Sequence, residues 1–269
     1  MCGRFTLAVP SYAELAEILK VPIDPALEAF YRPRYNIAPT TPHVVLRMRD
    51  GQRQLIPARW GLINRWAKDA SAASHQINAR SDTARVRPAY RDAFEKRRCV
   101  VPADGFYEWV GPKGEKRPIW YHPPKGGLLH LAGLYETWKN PATGEPEKTF
   151  TILTTDSNSL IAPVHDRMPA ILDPSDVDVW LATPGQGEPS SADQASELLR
   201  PAPSEALEPR WVSRKVNAAG YDAPDLIREV REGEMEAKPA EGKGTRGRKK
   251  DRPSEPDEEM PLFAKVKRG

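Results

Sequence analysis

The chain has 269 residues, enough to bury a sizeable core, and two cysteines, too few for a disulfide framework. Its net charge of +3 is unevenly placed: residues 238–269 carry ten Lys and Arg against six Asp and Glu, leaving 30 against 31 in the rest. A uniformly cationic body is thereby excluded; there is no C-x-x-C metal site and no run near the ~18 apolar residues of a membrane helix, and no signal peptide is expected.

A reducing, cytoplasmic setting is expected, with both thiols free. In chain order, Pro10 and "SYAELAEIL" (11–19) predict a helix, with Ser11 and Glu14 as a capping box and Leu15, Ile18 and Leu19 as its apolar face. "RPRYNIAPTTP" (32–42) reads as a Pro-rich loop. Runs rich in Val, Ile, Trp, Tyr and Thr predict strands at 43–49, 55–63, 98–110, 118–122, 128–138 and 149–156. Helices are expected at 89–98, at 175–182 with Ser175 as N-cap, at 191–200 and at 222–230. Strands gather in the middle without a βαβ rhythm, so a parallel sheet is not expected. The pattern fits an α+β fold on an antiparallel, barrel-like β core with peripheral helices. From Gly233 onward apolar residues nearly vanish, which predicts a single domain over 2–232 and a disordered basic tail over 233–269.

Cys2 directly follows Met1. Loss of Met1 would leave an α-amine, titrating near ~8, beside a thiol near ~8.5, both partly nucleophilic at neutral pH. Such a 1,2-aminothiol condenses with an aldehyde to an imine and closes to a thiazolidine; the same pair could instead serve an amidohydrolase, and a lone Cys2 could be incidental. In "ADGFYEWV" (103–110), alternation puts Phe106, Glu108 and Val110 on one face and Tyr107 and Trp109 on the other. Glu108 is then either a buried carboxyl with a raised pKa, suited to proton transfer, or an edge-strand charge. His165 in "APVHDRMP" is expected in a loop after a strand, where catalytic groups often sit. Asn78 and Arg80, two apart in "INARSDTAR", point to one side of an extended segment, or else form a turn. Arg4, Arg80 and Arg167 with the aromatic residues Trp60 and Trp66 suit phosphate contact and base stacking on single-stranded nucleic acid, although Trp is more often a core residue. Cys99 reads as a small buried hydrophobe.

Taken in order, "MCGRF", "RYNIAPT", "RWGLI", "INARSDT", "CVVPADGFYEW", "HDRMP" and "VSRKVN" resemble the SOS-response-associated peptidase (SRAP) family, which shields abasic sites in DNA. The resemblance covers about residues 2–230. It implies that Cys2, after Met1 removal, forms a thiazolidine crosslink with the ring-opened sugar of an abasic site. It further implies that Asn78 orients Cys2 and the sugar, Glu108 acts as acid and base, and His165 donates a proton. Arg4, Arg80 and Arg167 resemble the family's phosphate-binding arginines, Trp66 its stacking or wedge tryptophan, and Asn36 a residue of the pocket floor. No metal or cofactor is implied. The expected partner is single-stranded DNA with abasic sites, met by a nucleoid-associated monomer. Two positions depart from the common pattern, Asn64 for Pro and Asp82 for Glu. Alternatives from other classes are an N-terminal-Cys peptidase and a non-catalytic DNA-binding clamp adaptor. In the tail, "RGRKK" (246–250) could add phosphate contacts, and "EEMPLF" (258–263) looks like a short peptide for the replication sliding clamp.

Overall fold

Strand β3 (Pro42–Arg49) turns back into β4 (Gln52–Trp60) through Asp50 and Gly51, both at positive φ (52° and 75°), the conformation a two-residue hairpin demands. This hairpin belongs to a computed structural model that describes residues 2–112, 114–184 and 192–230. On one side β3 meets β6 (Arg98–Ala103), which meets β9 (Leu129–Lys139); on the other, β4 meets β10 (Pro146–Asp156). Because β9 also pairs with β10 from Pro146↔Lys139 to Ile152↔Gly133, the five strands close into a barrel. The expected α+β architecture with a barrel-like core is therefore present. Most pairs are antiparallel, but β10 runs parallel to β4 and to the short β5 (Asn78–Arg80).

A second sheet has the order β13 (Glu208–Trp211), β8 (Arg117–His122), β7 (Gly105–Val110), β1 (Phe5–Leu7), β2 (Arg34–Ile37). Phe5 and Phe106 pair across β1 and β7 and join the main core, whereas Tyr107 packs with Trp120, Val212 and Leu226 in a smaller cluster behind the sheet. The alternation expected in this segment is borne out. The expected single strand 98–110 is instead two, split at Asp104: its first half lies in the barrel and its second in the other sheet.

Helices sit at the periphery: α1 (Tyr12–Leu19), α2 (Pro25–Phe30), α3 (Ser81–Ala84), α4 (Arg91–Lys96), α5 (Val177–Leu181) and α6 (Ala192–Glu197). Ser11 caps α1 by accepting from the Glu14 amide. Leu15 and Leu19 are buried there, but Ile18 points outward, a correction to the expected apolar face. The cap expected at Ser175 is Asp173, whose carboxylate accepts the Ser175 amide at 3.0 Å. The helix expected at 89–98 ends at Lys96, because Arg98 is drawn into β6 and buried, with its guanidinium on the carbonyls of Phe94, Trp180 and Ala182. At 222–230 there is only a 3-10 turn, Pro224–Ile227, after which the chain extends so that the Val230 amide reaches the Trp211 carbonyl. The Pro-rich stretch 32–42 contains β2, because its backbone finds β1 as partner. Cys99 is buried as expected. The tail, with its basic run and 258–263 peptide, lies outside the described residues. Among the described residues no helix is long and apolar enough to cross a membrane.

Candidate active site

Two elements distant in sequence hold the segment of Cys2, and a third bears on Glu108. The first is β7, which holds the amino-terminal segment as its neighbour: Phe5 opposes Phe106, and the Tyr107 amide donates to the Arg4 carbonyl at 3.0 Å. Cys2 is fully buried, and its thiol donates to the Arg4 carbonyl at 3.6 Å. Glu108, on the Phe106 side of β7, is 4% exposed, so it is not the solvated edge charge that the sequence left open. Burial pushes its carboxyl above the usual carboxylate range, and the neighbouring His165 pulls the other way. Burial also pushes the Cys2 thiol far up, and the Glu108 carboxylate adds to that rise. Thiol and carboxyl are thus both buried, and the charge on the carboxyl bears on the thiol.

The second element is β5. Its parallel pairing on β10 sets Asn78 opposite Ile152, and the Asn78 side-chain amide donates to the Cys2 carbonyl at 2.8 Å. The other end of that side chain, Oδ1, is buried and has no hydrogen-bond partner among the described residues. An acceptor left in this state is poised for a donor brought by a ligand. Trp60 braces the approach to β5: its indole donates to the Ile77 carbonyl at 2.8 Å, and the ring stacks on Phe150. Trp60 is therefore core, while Trp66, the other tryptophan flanking this stretch, is 56% exposed.

The third element is the turn between β10 and β11 (Arg167–Pro169). Asn158 organises it, accepting the Ile161 and Ala162 amides and donating to the Ala202 carbonyl at 2.9 Å. His165 lies near its end. Its Nδ1 is 3.0 Å from the Arg167 amide and 2.8 Å from a carboxylate oxygen of Asp166. One nitrogen cannot accept from the first and donate to the second at once. The amide has a fixed hydrogen, so in the neutral ring Nδ1 accepts from Arg167 and Nε2 carries the proton.

The arginines divide by depth. Arg80 is exposed and paired with Asp82 at 2.8 Å. Arg167 is only 5% exposed, with its guanidinium on Asp156 at 2.6 Å and on the Thr154 carbonyl. Arg4 is half-buried, its Nη1 bound to Asn36 and to the Val216 carbonyl, each at 2.8 Å. Asn36 in turn donates to the carbonyls of Ala218 and Tyr221, so it ties β2 to the 214–221 segment. Both departures from the common pattern also have contacts. Asp82 holds Arg80, and the Asn64 amide donates to the Ala89 carbonyl at 2.6 Å, anchoring the loop that carries Trp66.

Sequence reading missed Asp156 and Asp104. Asp156 closes β10 and neutralises Arg167; its only signal was its place at the end of a strand. Asp104 lies between β6 and β7, and its carboxylate accepts the Ala8 amide at 2.6 Å. Among the described residues no group of three or more His, Cys, Asp or Glu is arranged to hold a metal ion. The chemistry available is that of a nucleophile, a buried carboxyl, an imidazole and an oriented amide.

A family model described as SOS response associated peptidase (SRAP) matches residues 1–219. The chain is 39% identical over 232 residues to the abasic site processing protein YoqW of Bacillus subtilis (strain 168), covering 84% of this chain and 99% of that one. Against the abasic site processing protein HMCES of Gallus gallus the identity is 34% over 231 residues, covering 74% and 67%. A solved structure from Bacteroides thetaiotaomicron shares the fold at a TM-score of 0.76 and 24% identity, covering 86% of this chain and 100% of that one. A phage-related protein from Bordetella bronchiseptica gives a TM-score of 0.60 at 29% identity, covering 78% and 94%.

Proposed function

The chain belongs to the SOS response associated peptidase (SRAP) family, and on that premise we propose that it acts in DNA repair, capturing abasic sites in single-stranded DNA through Cys2. The observation that carries this reading is the bond from Asn78 to the carbonyl of a fully buried Cys2, with the buried Glu108 acting electrostatically on its thiol. Relatives that carry the printed name abasic site processing protein support the substrate.

In this mechanism hydrolysis first removes Met1, consuming one water. The freed α-amine of Cys2 attacks C1′ of the ring-opened sugar aldehyde, giving a carbinolamine that loses water to form an imine. The thiol sulfur then adds to the imine carbon, its proton passing to the nitrogen, and the thiazolidine closes. The net change is aldehyde plus aminothiol to thiazolidine plus one water. A thiol held protonated needs a base at the moment of attack, and a buried carboxyl with a raised pKa suits both that task and the preceding acid step. His165 donates a proton to the sugar ring oxygen as it leaves C1′ to become a hydroxyl, and assists reversal. Asn78 holds the Cys2 carbonyl, so that the nucleophiles meet the aldehyde already oriented. Trp66 stacks on a base and Arg80 meets the backbone from the surface. Arg4 and Arg167 reach phosphate only by exchanging contacts they already hold, Arg167 by giving up Asp156.

The test is a denaturing gel of the protein with a single-stranded oligonucleotide carrying one abasic site. A heat-stable shifted band that is lost in Cys2→Ala is expected. Peptide turnover with no band would favour a peptidase, and a shift only in native gels a binding module. For the tail we propose phosphate contacts by 246–250, read as a steeper salt dependence than in a variant lacking 233–269. We also propose sliding-clamp binding through 258–263, abolished in Leu262→Ala with Phe263→Ala.

A further inference from the structure

The strand that follows Cys2 in the chain is short. β1 has three residues, pairs with β7 at Phe5↔Phe106 and Thr6↔Gly105, and meets β2 with a register irregularity between Phe5 and Leu7. Such a ladder specifies its register weakly, and a slip by one residue turns every side chain to the opposite face. Beyond the ladder, one side chain grips the strand. The Asp104 carboxylate accepts the Thr6 hydroxyl on Oδ1 and the Ala8 amide on Oδ2, the latter at 2.6 Å, and the Asp104 amide donates to the Thr6 carbonyl at 2.9 Å. Trp120 completes the arrangement. Its indole donates to the Thr6 hydroxyl at 3.1 Å, which leaves that hydroxyl's own proton for Asp104. Trp120 comes this close because position 105 is glycine: a Cβ there would lie 2.3 Å from the indole nitrogen.

Thr6 follows Cys2 by four residues, and Asp104 precedes Glu108 by four. β1 and β7 run antiparallel, so the grip and the reactive pair stand at opposite ends of the same two-strand ladder. The bond from the Tyr107 amide to the Arg4 carbonyl carries the register toward the reactive end. We infer that Asp104 and Thr6 latch β1 in register on β7 and thereby position Cys2 against Glu108, an inference that rests on the function proposed above. Neither residue touches the reacting atoms; both act through the strand.

The variants are Asp104→Asn, Thr6→Val and, as the conservative control, Thr6→Ser. Two quantities are compared in folded protein: the single-turnover crosslinking rate at saturating abasic oligonucleotide, and Kd for an oligonucleotide with an unreactive tetrahydrofuran site. Thr6→Val and Asp104→Asn should slow crosslinking by ~10- to 100-fold, the penalty of about an ångström of misplacement, with Kd changed less than ~2-fold. Thr6→Ser should restore the rate. Wild-type rates in Thr6→Val, or rate and affinity falling together, would overturn the inference. If Asp104→Asn does not fold, the Thr6 pair decides. Iodoacetamide alkylation of Cys2, read by peptide mass with Cys99 as internal reference, separates the two readings. Wild-type protein that forms no crosslink removes the proposed function. Faster alkylation in Thr6→Val than in Thr6→Ser still supports the latch, and equal rates sink it.

Discussion

Asn78 donates its side-chain amide to the Cys2 carbonyl at 2.8 Å, joining residues separated by 76 positions. The bond is made on the backbone of the nucleophilic residue, so it constrains where both the amine and the thiol stand. Asn78→Ala should therefore lower the crosslinking rate by ~10- to 100-fold. Stability should fall by only about 1 kcal/mol, the usual worth of one hydrogen bond. Single-turnover gels and thermal melts measure the two effects. A large stability loss with an unchanged rate would contradict this role.

The two nucleophiles of Cys2 can be separated. Cys2→Ser keeps the α-amine but replaces sulfur with a weaker nucleophile, so the reaction should stop at the imine. Borohydride should then trap a band that is absent without the reductant. Cys2→Ala should behave in the same way, and a permanent untrapped band from either variant would exclude the thiazolidine.

Glu108 links pH to stability with a definite sign. Burial raises its carboxyl, so the folded chain favours the neutral acid. Its contribution is full below the ordinary value of ~4.3 and is lost as pH rises through the raised folded value. Glu108→Gln stays neutral, so the variant's Tm minus that of wild type should grow across this rise. A difference that stays flat from about pH 4 to 9 would count against a raised carboxyl. Crosslinking by the same variant should fall at least ~100-fold, as for loss of a general acid or base.

Trp60 and Trp66 lie six positions apart and should respond oppositely. Trp66→Ala should leave stability within ~0.5 kcal/mol and weaken single-stranded DNA binding by ~1–3 kcal/mol, the loss of one stacked base. Trp60→Ala should cost ~3–5 kcal/mol of stability, because it empties the core under β5. Melts and fluorescence anisotropy distinguish them.

Arg80 and Arg167 should also diverge. Arg80→Ala should reduce the salt slope of DNA binding by about one and leave the melt unchanged. Arg167→Ala should lower Tm as well, because it strips the buried Thr154 carbonyl and Asp156 of their partner. Equal melts for the two variants would contradict the difference in depth.

Elements with local causes are legible in the residues: the Ser11 cap of α1, the runs that form the barrel strands, and the face of β7 on which Glu108 lies. The family is legible there too, because its motifs occur in one order along the chain. Features that depend on long-range pairing emerge only in the folded chain. The strand run 98–110 broke at Asp104 because its halves pair in different sheets, and the helix expected at 222–230 gave way to an extended segment paired with Trp211. Likewise, Asn78, Glu108 and Cys2 lie far apart in the chain and meet only when β5 docks on β10 and β1 on β7. Burial, which sets the Glu108 carboxyl and separates exposed Arg80 from enclosed Arg167, is a property of what packs around a residue, and no local pattern encodes it.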